Sequence, residues 1–239
     1  MRSTIRRGSV AALSLGLSAL ALTALPGTAS AAPSDPSSAT ASSAAYIAYL
    51  DGKAAAGDTG AGETAEQFKA LSTDDQSRFL DLIGDPETTK AFAEAASEAP
   101  TSASARTVRA GGDVVIERVS ESGPQGLATA AAAKDMWASY TVYDTVFGVK
   151  VTKVSVRTNY QVKGKDTTKV YPGSATHYNY VPAASFSNSA VKEWISSPPA
   201  DNAQSETVWT ATWTGGLGSW SARERVWGDY RGFVGGYLK

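Results

Sequence analysis

The chain has no cysteine and a single histidine, His177. Without thiols there are no disulfide staples, so an exported protein of this composition depends on a packed core. The zinc, copper and haem ligand sets built from His and Cys cannot be assembled either. A serine nucleophile with a histidine base would have to use His177, in Thr176-His177-Tyr178-Asn179, and no Gly-x-Ser-x-Gly accompanies it. A structural strand histidine is the expectation there. Phosphate loops, dinucleotide fingerprints, calcium loops and deaminase signatures are also missing. Nothing in the sequence asks for a cofactor or a metal, and no catalytic residue can be assigned from motifs. An excess of basic charge is absent too: 22 Lys and Arg stand against 23 Asp and Glu, so neither nucleic acid nor an anionic membrane is indicated as a partner.

Long apolar runs are limited to one. Val10 to Leu25 is almost wholly apolar, is preceded by Arg2, Arg6 and Arg7, and is followed by Ala29-Ser30-Ala31. That order is the one expected of a secretory signal peptide over 1–31, cut after Ala31. The run is shorter than the roughly 20 residues that cross a bilayer, and no later stretch is long enough, so no membrane span is expected. Gly8-Ser9 after Arg6-Arg7 favours the ordinary route over twin-arginine export. The expectation is a secreted, extracellular chain from Ala32 onward, with 19 basic and 23 acidic residues, a net charge of −4. Residues 32–134 hold 8 basic and 15 acidic residues, whereas 135–239 hold 11 and 8. Such asymmetry can favour docking of one half on the other, or simply belong to two separately solvated surfaces.

What is present divides the chain. Residues 32–43 are rich in Ala, Ser and Pro and read as a disordered leader. Ala44 to Lys53 has Tyr46, Ile47, Tyr49 and Leu50 at near-helical spacing, with a break over Gly57 to Gly62. Thr64-Ala65-Glu66-Gln67 reads as a capping box starting a second helix. Ser72-Thr73-Asp74-Asp75 starts a third, with Phe79, Leu80, Leu82 and Ile83 on its apolar face and Gly84 beyond it. Asp85-Pro86 opens a fourth around Phe92, stopped at Pro100. These helices carry few large apolar residues, so the region 32–112 should either pack on something else or stay mobile, as a propeptide or strap. The segment 113–134 reads as a linker with one isolated strand, Asp113 to Val119.

From Met136 the composition changes: all six Trp and eight of the ten Tyr follow, mixed with Thr and Val. That is strand chemistry. Strands are predicted at 137–147, 149–162, 167–171, 176–181, 206–214 and 219–229. Gly215-Gly216-Leu217-Gly218 should turn the last pair into a hairpin. The apolar positions of the second strand switch from odd (Val149, Val151) to even (Val154, Val156, Tyr160, Val162), which predicts a bulge near Thr152-Lys153. Phe186 to Ala203 reads as the longest loop, with one helical turn around Val191 to Trp194. The fold class is α+β: a small N-terminal helical segment, then an antiparallel β sandwich or barrel over 135–239.

Aromatic load is the main functional signal. Tryptophan and tyrosine give much contact area for little ordering entropy, which suits sugar and peptide binding. For Trp209, Trp213 and Trp220 a core role is the simpler expectation. Trp227 shares a strand face with Arg223 and Arg225, a candidate recognition patch. Tyr178, Tyr180 and Trp194 are further candidates. Glu224 shares parity with Trp220, Ala222 and Val226, so either it is paired where it enters an apolar face or the hairpin bulges before it. A glycoside hydrolase would need two such acids to converge in one cleft.

Leu71-Ser72-Thr73-Asp74-Asp75-Gln76, Phe79-Leu80, Asp85-Pro86 and Val146-Phe147-Gly148-Val149-Lys150-Val151-Thr152-Lys153 together resemble a group of secreted actinobacterial proteins of unassigned function. In these a short helical segment precedes a Thr- and Tyr-rich β domain. The resemblance implies that layout and transfers no catalytic residue. The layout is also similar to adaptor subunits of secreted antibacterial toxin particles. The leading functional expectation is a non-catalytic binding or interaction module for a secreted protein partner or a cell-surface polysaccharide. A toxin component or inhibitor comes second, and a carboxylate-based hydrolase third.

Overall fold

The computed structural model describes residues 36–97, 104–125, 133–214 and 218–239. The expected signal peptide lies outside the described residues. Among the described residues the order is four α-helices, α1 (Ser43–Ala55), α2 (Thr59–Lys69), α3 (Thr73–Gly84) and α4 (Pro86–Ser97), followed by ten strands. One sheet is a meander of β1 (Ser104–Arg109), β2 (Val114–Pro124), β3 (Lys134–Val146), β4 (Val149–Lys163) and β5 (Asp166–Asn179). The second holds β10 (Gly232–Leu238), β9 (Ser219–Asp229) and β8 (Ala203–Trp213) in that order. Along the far edge of β8 lie β6 (Ala184–Asn188) and β7 (Lys192–Ile195). Every pairing is antiparallel. The α+β expectation, helices first and then a sandwich, is the architecture observed.

Alternation builds the sandwich. Met136, Ala138, Tyr140 and Val142 of β3 and Val154, Val156 and Tyr160 of β4 turn inward. They meet Trp209 of β8 and Ala222 and Val226 of β9 in one apolar cluster. The parity switch in β4 is a bulge, as expected: Asp144 pairs Thr152 while Thr145 pairs Lys150, which leaves Val151 as the extra residue. Two predicted strands, 167–171 and 176–181, are parts of the single strand β5. It stays continuous because it bulges at Pro172-Gly173, where the ladder passes from Asn159↔Tyr171 to Arg157↔Ser174. A Cβ on Gly173 would lie 2.7 Å from both the Arg157 carbonyl and Ser205 Oγ, so the two sheets close on each other there.

Several expectations are corrected. The strand at 113–119 is not isolated: β2 pairs with β3 from Val114↔Val146 to Pro124↔Met136, and β1 adds outside it. Val114 and Ile116 are therefore core residues. The 186–203 stretch holds β6 and β7 instead of a helical turn, because β8 is long enough to offer its edge to both. The capping box at Thr64 does not form. Asp58 caps α2 five residues after Lys53, its Oδ1 accepting from the Ala61 amide at 3.3 Å, and Thr64 is buried inside that helix. Gly60 and Gly62 are thus helical, and only Gly57, at φ +100°, breaks the chain. Within the expected leader, Ala39 is buried in a short 3-10 turn, Pro36–Ala41.

The two remaining N-terminal signals hold, whereas Gly84, expected beyond α3, is its last residue, and the stop expected at Pro100 lies outside the described residues. Ser72 caps α3, accepting from the Asp75 amide at 3.1 Å, and Asp85 accepts from the Glu87 amide at 3.0 Å. The helices bury a small aromatic knot of Tyr46, Phe68 and Phe79, with ring centroids 4.9 to 5.4 Å apart. This knot is continuous with the sandwich core. Of the two expectations for the helical region, packing on a partner surface is the one observed, and the partner is the β domain of the same chain. Tyr46 donates to the Tyr180 carbonyl at 3.1 Å, and Lys150 Nζ meets Glu63 at 2.8 Å. Arg118, inside the sandwich end, donates to the Ala95 carbonyl of α4 at 2.7 Å.

Candidate functional site

The strand register decides which candidates meet. On the outer face of the second sheet, Trp194 of β7 pairs with Gln204, Gln204 with Trp227, and Trp227 with Gly235. The adjacent row runs Lys192, Glu206, Arg225, Tyr237. Arg223 and Lys239 exchange backbone hydrogen bonds in a third row beside Val208. Trp227, Arg223 and Arg225 of β9 and the sequence-distant Trp194 are therefore neighbours on one face.

Arg225 is the hinge of this face. Its guanidinium lies 4.9 Å from the Trp194 ring centre and 5.5 Å from that of Tyr237. Its Nε donates to Glu206 Oε2 at 2.6 Å while Nη2 pairs with the same carboxylate, and Arg223 Nε approaches the other oxygen at 3.3 Å. Lys239 Nζ stands 4.4 Å over the Tyr237 ring. Arg223 and Arg225 thus share one carboxylate, and Arg225 and Lys239 lie against aromatic rings, an arrangement that fixes long side chains which would otherwise lose entropy on binding. Alongside runs a shallow groove of about 290 Å³ lined by Val208, Ser221, Ala222, Arg223 and Lys239.

Trp227 has a structural duty as well. A Cβ on Gly235 would collide with the Trp227 indole, so the ring lies over the bare glycine backbone of the next strand and fills its missing side chain. Part of its surface is spent there, and both Trp227 and Trp194 are half-buried. Trp194 was signalled only as an aromatic in a loop; its place in the face depends on β7, which the sequence reading missed.

Tyr178 and Tyr180 lie elsewhere, stacked on each other at 5.2 Å where the helices meet the β domain. Tyr180 is buried, and its hydroxyl donates to Asp58 Oδ1, the α2 cap, at 3.0 Å. The pair belongs to the seam between helices and sandwich and does not join the outer face of the second sheet.

The two acids pushed out of the carboxylate range are apart from one another in partner and place. Glu224 is fully buried between the sheets, with Oε2 accepting from the Trp209 indole N–H at 2.5 Å and Oε1 without a partner among the described residues. The first of the two alternatives for this residue, pairing on the apolar face, is observed. Burial raises its pKa to about 8, the Trp209 hydrogen bond opposing. Asp144 lies under α3 and α4, where its Oδ1 accepts from the Thr152 amide at 2.6 Å beside the β4 bulge, and burial raises it to about 7. Each is held by a neutral donor, so these two do not form an acid pair across a cleft. His177 leans on the rings of Trp209 and Phe186, and desolvation lowers its pKa. Among the described residues no group of three or more His, Cys, Asp or Glu is placed to hold a metal, and no helix is long and apolar enough to cross a membrane.

Compared with known proteins, the chain matches no family, no curated protein and no solved structure.

Proposed function

We propose that this chain is a secreted, non-catalytic binding module that takes a secreted protein partner or a cell-surface polysaccharide on the outer face of its second sheet. The observation that carries the reading is Arg225, stacked between Trp194 and Tyr237 and clamped by Glu206, beside a groove flanked by Arg223 and Lys239. Prearranged aromatic and guanidinium groups on a rigid sheet bind with little ordering cost. The hydrolase reading loses support, because its best acid, Glu224, is enclosed in the core and bonded to Trp209.

The test is retention of purified chain, residues 32–239, on insoluble cell-wall polysaccharide from the producing organism, and of culture-supernatant proteins on immobilised chain. Trp194→Ala and Arg225→Gln should lower whichever retention the wild type shows, by about tenfold or more for an anchor of this kind. Equal retention by wild type and both variants would remove the face from the binding account.

A further inference from the structure

The outer face of the first sheet carries an arginine unlike those of the second. Arg157 of β4 lies 4.2 Å from the Trp137 ring centre. Its Nε donates to Asn159 Oδ1 at 3.0 Å, and Asn159 Nδ2 is itself anchored on the Pro172 carbonyl at 2.9 Å, at the β5 bulge. Trp137 is backed by Gly123, where a Cβ would stand 3.3 Å from the indole nitrogen. The guanidinium is therefore fixed in plane and direction by three strands. Yet among the described residues its two Nη groups make no hydrogen bond, and no carboxylate pairs with it.

The acids of this face are engaged elsewhere or stand apart. Asp135 Oδ1 accepts from Tyr171 at 3.0 Å and from Gln161 at 3.2 Å. Glu117 accepts from Tyr143 and faces Arg106 at 3.9 Å, and Glu121 sits across Ser139 on β2 without reaching Arg157. By contrast Arg223 and Arg225 are neutralised by Glu206, Arg231 by Asp229 and Arg78 by Asp113. A fork of N–H donors, held rigid and paired with no carboxylate of the described residues, is a receptor for a carboxylate. What surrounds it is a flat field of hydroxyls and amides, Thr141, Ser155, Asn159, Gln161 and Tyr171. That field suits the hydroxyls of a sugar chain, and it is poor in the apolar area a protein partner's anchors would need.

We propose that Arg157, set on Trp137, is the anchor of a second binding site that takes the carboxylate of a uronic-acid glycan on the outer face of the first sheet. The site is independent of the face on the second sheet and stands whether or not that face binds.

The experiment is calorimetric titration of the full chain with tetragalacturonate, its methyl ester, and sodium acetate. Tetragalacturonate should bind saturably, with affinity falling as salt rises, while the ester and acetate do not bind at the same concentrations. Arg157→Gln should weaken binding by about tenfold or more, and the exposed charge-matched control Lys163→Gln should not. Should Arg157→Gln lower the melting temperature, Arg157→Lys keeps the charge without the fork and is expected to bind weakly too. Tetragalacturonate that fails to bind, or binds Arg157→Gln as tightly as the wild type, overturns the proposal. Acetate that competes at equal concentration would reduce the site to a bare anion contact and overturn the glycan assignment.

Discussion

Glu224 enters the core with the Trp209 indole as its side-chain hydrogen-bond partner and, among the described residues, no cation paired with it, so burial favours the carboxylic acid. Its ordinary pKa of 4.5 is raised to about 8 by burial. Between those values the folded chain holds a proton that the unfolded chain has released, so stability falls as pH rises through the window and the contribution is lost above it. Glu224→Gln keeps the acceptor for Trp209 and cannot ionise. It should melt near the wild type at pH 5 and higher at pH 9, read by thermal denaturation at both. A wild type as stable at pH 9 as its Gln variant would show that Glu224 is charged in the fold without cost. Asp144 obeys the same sign, from 3.8 to about 7, and Asp144→Asn should flatten that lower window while keeping the Thr152 hydrogen bond. Glu224 was legible in the sequence as a charge on the apolar parity. Asp144 was not, since its burial comes from α3 and α4 packing over the β4 bulge, a contact between distant segments.

At the scale of elements, caps and parity carried most of the readable signal. Ser72 and Asp85 were found because a capping side chain acts within three residues, and the Val151 bulge because alternation is strict. Thr64 misled for the same local reason: the capping pattern is satisfied on paper, but Ala61, Ala65 and Phe68 must all face the core, and the helix starts at Asp58 to place them there. Asp58→Ala should destabilise by about 1 to 2 kcal/mol, since it removes the α2 cap and the acceptor of Tyr180 together; urea denaturation checks it. β7 and β10 were illegible. One has four residues, and the other is broken up by Gly232, Gly235 and Gly236. Both exist because a longer strand offers them an edge. Trp227 shows what the glycines cost: Trp227→Ala bares Gly235 and should destabilise by about 2 kcal/mol, less than a fully buried Trp. A change confined to ligand affinity would instead make Trp227 purely a contact residue.

For the whole molecule, helices and sandwich share one apolar cluster, so both should unfold in a single transition, with helical and aromatic circular dichroism signals coinciding. Two separated transitions would make the helical region an independent strap. A chain beginning at Asp135 would lose β1, β2 and the helices together, stripping Val114, Ile116 and the Ala95 contact of Arg118 from the core, and should not fold cooperatively. The composition change at Met136 was visible; that the preceding hundred residues complete the same core was not, because each of their apolar faces is too small to announce a partner. The central claim is that the outer face of the second sheet is the binding surface. Hydroxyl-radical footprinting of the chain with and without cell-wall polysaccharide from the producing organism tests it most directly. Protection of Trp194 and Tyr237, with Tyr49 of α1 unchanged, is the predicted result; polysaccharide that binds while both rings keep their free rate of oxidation would contradict it.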